Sequence, residues 1–152
     1  MWENSLIWII PVAIALHNLE EAIWLPAWSA SLSRRWHHSI GAFPFRFAVM
    51  VLTIIAVIIA AWAQIGGHRS LGFYLLAAYA LGQGLNVLVP HLVAAIATRR
   101  YVPGLATGLF LVWPASGAFL TVTFQRPDFD QQQFWVTSSS VTTKTIGPCG
   151  KV

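Results

Sequence analysis

The segment His17-Asn18-Leu19-Glu20-Glu21 puts one imidazole and two carboxylates on a single helical turn and a half. At about 100° per residue, positions i, i+3 and i+4 share a face. His17, Glu20 and Glu21 are therefore expected to project together, with Trp24 and Trp28 continuing the same side. A second polar set, Gln83, Asn86 and His91, lies some seventy residues on, with Pro90 directly before the histidine. Two imidazoles and two carboxylates make a hard-to-borderline ligand set. His17, Glu20, Glu21 and His91 would suit Zn²⁺, or a non-haem iron or manganese ion. Glu20 and Glu21 are the candidate catalytic acids, since one carboxylate can stay off a metal as general base. Without a metal, two adjacent acids in low dielectric would titrate as a coupled pair, one kept protonated. Asn86 and Gln83 are supporting polar candidates. Asn86 and His91 stand about 140° apart on an ideal helix. Pro90 removes the hydrogen bond to the Asn86 carbonyl and predicts a kink or π-bulge that turns both inward.

The elements that must hold these groups follow from composition. Of 152 residues, 57% are hydrophobic and only 9% charged, with a mean hydropathy of +0.65. Soluble domains carry about a quarter charged residues, so a water-soluble enzyme is excluded, as is a disordered or disulfide-stapled chain. The sequence pI near 9.9 reflects scarce acids and no basic patch, which argues against a nucleic-acid partner. Four stretches reach the roughly 20 apolar residues that cross a bilayer, at about 5–28, 45–65, 71–97 and 102–124. The expectation is an all-α, polytopic membrane protein. Its domain of residues 1–124 is a four-helix up-down bundle, followed by a polar, disordered and flexible tail over 125–152.

Arg34, Arg35, Arg46, Arg99 and Arg100 flank the first and third links, against Arg69 and Arg126 on the other side. The excess puts links one and three in the cytoplasm and both termini outside a multi-pass protein of the plasma (inner) membrane. Arg99, Arg100 and Tyr101 read as an interface anchor, arginines at phosphates and tyrosine at the headgroups. Gly104 and Gly108 form a small-xxx-small pair suited to close helix packing.

Depth links the two polar sets. Counted from Trp28, Glu21, Glu20 and His17 lie 7, 8 and 11 residues into the bilayer. Counted from Ala97, His91 and Asn86 lie 6 and 11 residues in. At a rise of about 1.5 Å per residue both sets sit roughly 9–17 Å below the same interface. An acid at mid-bilayer costs about 2.5–3.5 kcal/mol even on insertion scales, so the groups are expected to meet inside the bundle as one functional site.

His17-x-x-Glu20-Glu21 resembles the signature of the HXXEE family of small, mostly bacterial integral membrane proteins. Asn86…His91, followed by Arg99-Arg100-Tyr101-Val102-Pro103-Gly104, resembles its second polar motif and its Tyr-x-Pro-Gly turn. The likeness runs from about Ile10 to Pro114; it differs in that Pro90 spaces the asparagine and histidine by five where the family has four. The resemblance implies a catalytic or metal-binding role for the paired motifs. The leading expectation is a membrane-embedded, metal-dependent enzyme, hydrolase-like or acid/base. It would act on a lipid-soluble small molecule or membrane-bound substrate in the cytoplasmic half of the bilayer. The rivals are a proton-coupled transporter working as a homo-oligomer, a metal-free isomerase or cyclase, and a membrane adaptor whose polar cluster only locks packing.

Overall fold

A computed structural model describes residues 2–32 and 41–136; Arg34 and Arg35 of the first link, and the chain beyond 136, lie outside the described residues. Among the described residues every regular element is helical. The first span is α1 (Trp2–Ser31) and the second α2 (Ala42–Gly66). The third runs from α3 (Leu71–Asn86) through a π-helical stretch, Val87–Leu92, into α4 (Val93–Thr98). The fourth runs from α5 (Leu105–Thr107) through a second π-helical stretch, Gly108–Val112, into α6 (Trp113–Phe124). All four are long and apolar enough to cross a membrane, and large apolar side chains such as Ile58, Ile96 and Phe110 face outward.

Neighbours pack in a ring. α1 lies against α2, α2 against α3, α3 against α6, and the fourth span returns to α1. Spans one and three face each other across the diagonal, so groups shared between them must be bridged by side chains. The α2–α3 hairpin is built from small residues. Ala56, Ala60 and Ala63 are fully buried at helical spacing. A Cβ on Gly72 would stand 2.8 Å from the backbone of Trp62 and Ala63, so only glycine allows that approach. Ser70 caps α3, its hydroxyl accepting from the Phe73 amide at 3.2 Å.

Proline accounts for two polar features. Pro26 has no N–H for the carbonyl of Ala22, and Arg46 Nε of α2 supplies the missing donor at 3.0 Å. Pro90 sits inside the first π-helical stretch. There hydrogen bonds close from i to i+5, so residues five apart stack one above the other. Asn86 and His91, badly placed on an ideal α-helix, consequently line the same cleft.

Of the tail expected from residue 125, the stretch to 136 lies among the described residues. Residues 131–136 form a helical turn, with Asp130 Oδ1 accepting from the amides of Gln132 and Gln133 at 2.8 and 3.0 Å. Phe129 and Phe134 are buried. Phe129 stacks on Tyr74 at 4.9 Å, and Phe134 meets Phe124 edge-on at 5.2 Å. The polar composition concealed two aromatic anchors spaced to reach the end of the bundle. Truncating Phe134 to Ala is expected to cost about 3–5 kcal/mol, read as a lowered thermal unfolding midpoint in detergent. The exposed neighbour Trp135→Ala should leave that midpoint nearly unchanged.

Candidate functional site

The two glutamates share one turn of α1 but not one environment, because consecutive helical residues diverge by about 100°. Glu20 turns to the start of the fourth span. Its Oε1 accepts from the Tyr101 hydroxyl and from the Gly104 amide at 2.9 Å. Its Oε2 accepts from the amide and the hydroxyl of Thr107 at 3.1 and 2.5 Å. Gly104 is the N-cap of α5 and Thr107 its third residue. These are the two orphan donors that a capping box satisfies from within a helix. Here a carboxylate from another span satisfies both, at the helix end whose partial positive charge favours an anion.

Glu21 turns to the histidines. His91 Nε2 lies 3.0 Å from Glu21 Oε1, and His17 Nε2 lies 3.8 Å from the same oxygen. The two imidazoles meet edge-to-face with centroids 5.1 Å apart, and all three residues are buried. His17 Nδ1 stands 3.2 Å from Thr107 Oγ1. His17 Nε2 and His91 Nδ1 are buried with no hydrogen-bond partner. His17, Glu21 and His91 form a group that could hold a metal ion, their ligating atoms lying within 4.8 Å of one another. Ligands on a tetrahedral zinc with bonds of about 2.0–2.1 Å sit roughly 3.3 Å apart; His91 Nε2 and Glu21 Oε1 are already that close, and His17 Nε2 would have to move inward from 3.8 Å. The two-nitrogen, one-oxygen donor set and the orphaned nitrogen fit such an ion.

Gly104 closes over the cluster. With φ at +91°, a Cβ there would fall 2.8 Å from His91 Cε1, 2.9 Å from His17 Cε1 and 3.0 Å from Glu21 Cγ. Gly108 makes the equivalent approach to Val87, at 2.9 Å from both methyls. The two π-helical stretches therefore touch at their first residues. The small-residue pair serves packing, as expected, and one member also roofs the site.

Of the residues singled out from sequence, His17, Glu21 and His91 converge. Glu20 lies beside them with its oxygens engaged by protein donors, outside the group able to bind a metal. Asn86 lines a cleft of about 520 Å³ that also carries Glu21 and His91 on its wall. Gln83 stays apart, paired with Tyr79 one turn back on α3. Arg99 and Arg100 are exposed at the end of the third span, as an anchor requires. Tyr101, grouped with them, instead directs its hydroxyl to Glu20. Burial, and then that hydrogen bond, push its phenol above the usual range.

Sequence reasoning missed Thr107 and Asn18. A hydroxyl three residues after a glycine that opens a span was the available signal for Thr107. Asn18 donates to the Val49 carbonyl at 3.1 Å and to Thr53 Oγ1 at 2.8 Å, tying α1 to α2 inside the apolar bundle.

Replacing Gly104 by Ala would impose both a left-handed backbone on a residue with a Cβ and a clash with two imidazoles. The expected loss is at least ~2 kcal/mol, measured by thermal unfolding in detergent. Gly82→Ala, in open space on the third span, should be neutral or slightly stabilising.

Residues 8–119 match the family model described as "Protein of unknown function with HXXEE motif". The chain is also 34% identical over 112 residues to "Uncharacterized protein YrkK" of Bacillus subtilis (strain 168), a match covering 74% of this chain and 70% of that protein. No solved structure matches it.

Proposed function

The chain belongs to the HXXEE family, and on that footing we propose that it is a membrane-embedded, metal-dependent enzyme acting on a lipid-soluble substrate. The observation that carries this reading is the convergence of His17 Nε2, His91 Nε2 and Glu21 Oε1 in a buried pocket where one nitrogen has no partner. Uncompensated polar groups are costly in a bilayer interior, and a cation shared by the three would give His17 Nε2 the partner it lacks. When bound, a divalent cation supplies Lewis acidity toward a polar headgroup.

The chain's own residues divide the remaining work. Glu21, and not Glu20, is the carboxylate that meets the substrate, because Glu21 and His91 open onto the 520 Å³ cleft. That volume falls in the range of about 300–1,000 Å³ usual for small-molecule sites. Its other walls are mostly apolar, including Leu25, Phe45, Val49, Leu52 and Val102. A hydrocarbon tail would lie along them while Asn86 and Thr98 offer polar contacts. A second cleft of about 780 Å³ carries Glu20 and Tyr101 on its wall; with those groups hydrogen-bonded to each other it offers no reactive acid. The arginine count assigns this half of the bundle to the cytoplasmic leaflet.

Metal analysis of protein purified in detergent without chelators tests the reading. Wild type is expected to carry about one zinc equivalent per chain, and Glu21→Gln and His91→Ala to carry well under half of that. A folded wild-type protein that neither retains nor takes up a divalent ion would overturn the metal-dependent reading.

A further inference from the structure

The hydrogen-bond chain behind His17 has a direction. Thr107 Oγ1 carries a single hydrogen and has three polar neighbours: Glu20 Oε2 at 2.5 Å, His17 Nδ1 at 3.2 Å and the Gly104 carbonyl at 3.5 Å. Glu20 receives hydrogens on both oxygens, from Tyr101, Gly104 and the Thr107 amide as well as the Thr107 hydroxyl. That is the pattern of an acceptor-only carboxylate. The Thr107 hydrogen therefore goes to the near, charged acceptor, where the bond is strongest. Its hydroxyl oxygen is left able only to accept from His17.

A neutral imidazole has one N–H and one lone pair. With Nδ1 donating to Thr107, the lone pair sits on Nε2, the nitrogen that faces Glu21 Oε1 at 3.8 Å and has no hydrogen-bond partner. The distance is too long for a hydrogen bond. An acceptor nitrogen beside an acceptor oxygen, both buried, makes a place for a cation.

We propose that Thr107, held by Glu20, is a positioning residue that fixes His17 as the Nδ1-protonated tautomer and so presents the Nε2 lone pair to a divalent cation shared with Glu21 and His91. The metal part rests on the proposed function above; the tautomer does not. Metal-ligating histidines commonly donate their second N–H to an oriented acceptor, and losing that partner typically costs 10–100-fold in affinity. Glu20 thereby acts on the site without touching the ion.

Two measurements on the full-length protein in detergent test the two parts separately. Ring ¹⁵N and ¹³C shifts of labelled histidine, at a pH where the imidazole is neutral, are expected to show His17 as Nδ1–H in metal-free wild type and in Thr107→Ser. In Thr107→Val the Nδ1–H form should no longer dominate. Zinc titration against a competing chelator is expected to give about 10–100-fold weaker binding for Thr107→Val and near wild-type binding for Thr107→Ser. A threonine needed only for packing would lower the melting temperature of Thr107→Val and leave tautomer and zinc affinity unmoved. The positioning role is overturned by an Nε2–H His17 in wild type, or by a folded Thr107→Val that binds zinc as wild type does. An Nδ1–H His17 in a wild-type chain that binds no zinc would uphold the tautomer and reject the metal.

Discussion

One carboxylate determines how this bundle closes. Glu20 reaches from the middle of the first span to the start of the fourth and takes up the two amides that the helix end cannot pair internally, together with the hydroxyls of Thr107 and Tyr101. Helix ends inside an apolar medium must have their orphan donors satisfied. Gly104, at a positive φ and pressed against two imidazoles, has no side chain with which to cap itself. The first span supplies what the fourth lacks, and the two are locked in register. Glu21 is thereby aimed at His17 and His91, since a helix that turns one side chain to the fourth span must turn the next elsewhere.

The other polar features follow the same accounting of donors and acceptors. Pro26 frees a carbonyl and Pro90 reshapes a turn, and the bundle answers each with a specific partner or geometry. Arg46 covers the Ala22 carbonyl ahead of Pro26. Pro90 is absorbed by a π-helical stretch. Asn18 spends its amide on Val49 and Thr53 of α2. His17 Nε2 and His91 Nδ1 are left without a hydrogen-bond partner, as are Trp28 Nε1 and Gln64 Oε1, but only the two imidazoles meet each other and share a neighbouring carboxylate, Glu21.

The clefts give the same division on a larger scale. The acid whose oxygens are occupied borders one apolar groove, and the acid with histidine partners borders the other. The first groove thus offers a carboxylate with both oxygens hydrogen-bonded, and the second a carboxylate flanked by imidazoles. That asymmetry arises from adjacent positions on one helix.

Composition and spacing alone determined much of this protein. Four apolar stretches separated by short links are long and apolar enough to cross a membrane. The similar depth of His17-x-x-Glu20-Glu21 and His91 allowed them to meet, and the cost of leaving an acid in lipid favoured it. Pro90 also announced the π-helical adjustment that brings Asn86 and His91 to one side. Composition gave no sign of Phe129 and Phe134 as contacts onto Tyr74 and Phe124, because glutamines surround them in the sequence. What only the tertiary structure decided is which glutamate does what. Helical periodicity assigns Glu20 and Glu21 to one face, and two candidate acids stay equivalent until their neighbours are known. The fourth span breaks that equivalence, presenting an uncapped helix end to Glu20 and leaving Glu21 to the histidines. Thr107, a residue of no chemical note in the linear sequence, matters for the same reason: a single hydroxyl hydrogen acquires a direction only when its acceptors are fixed in space.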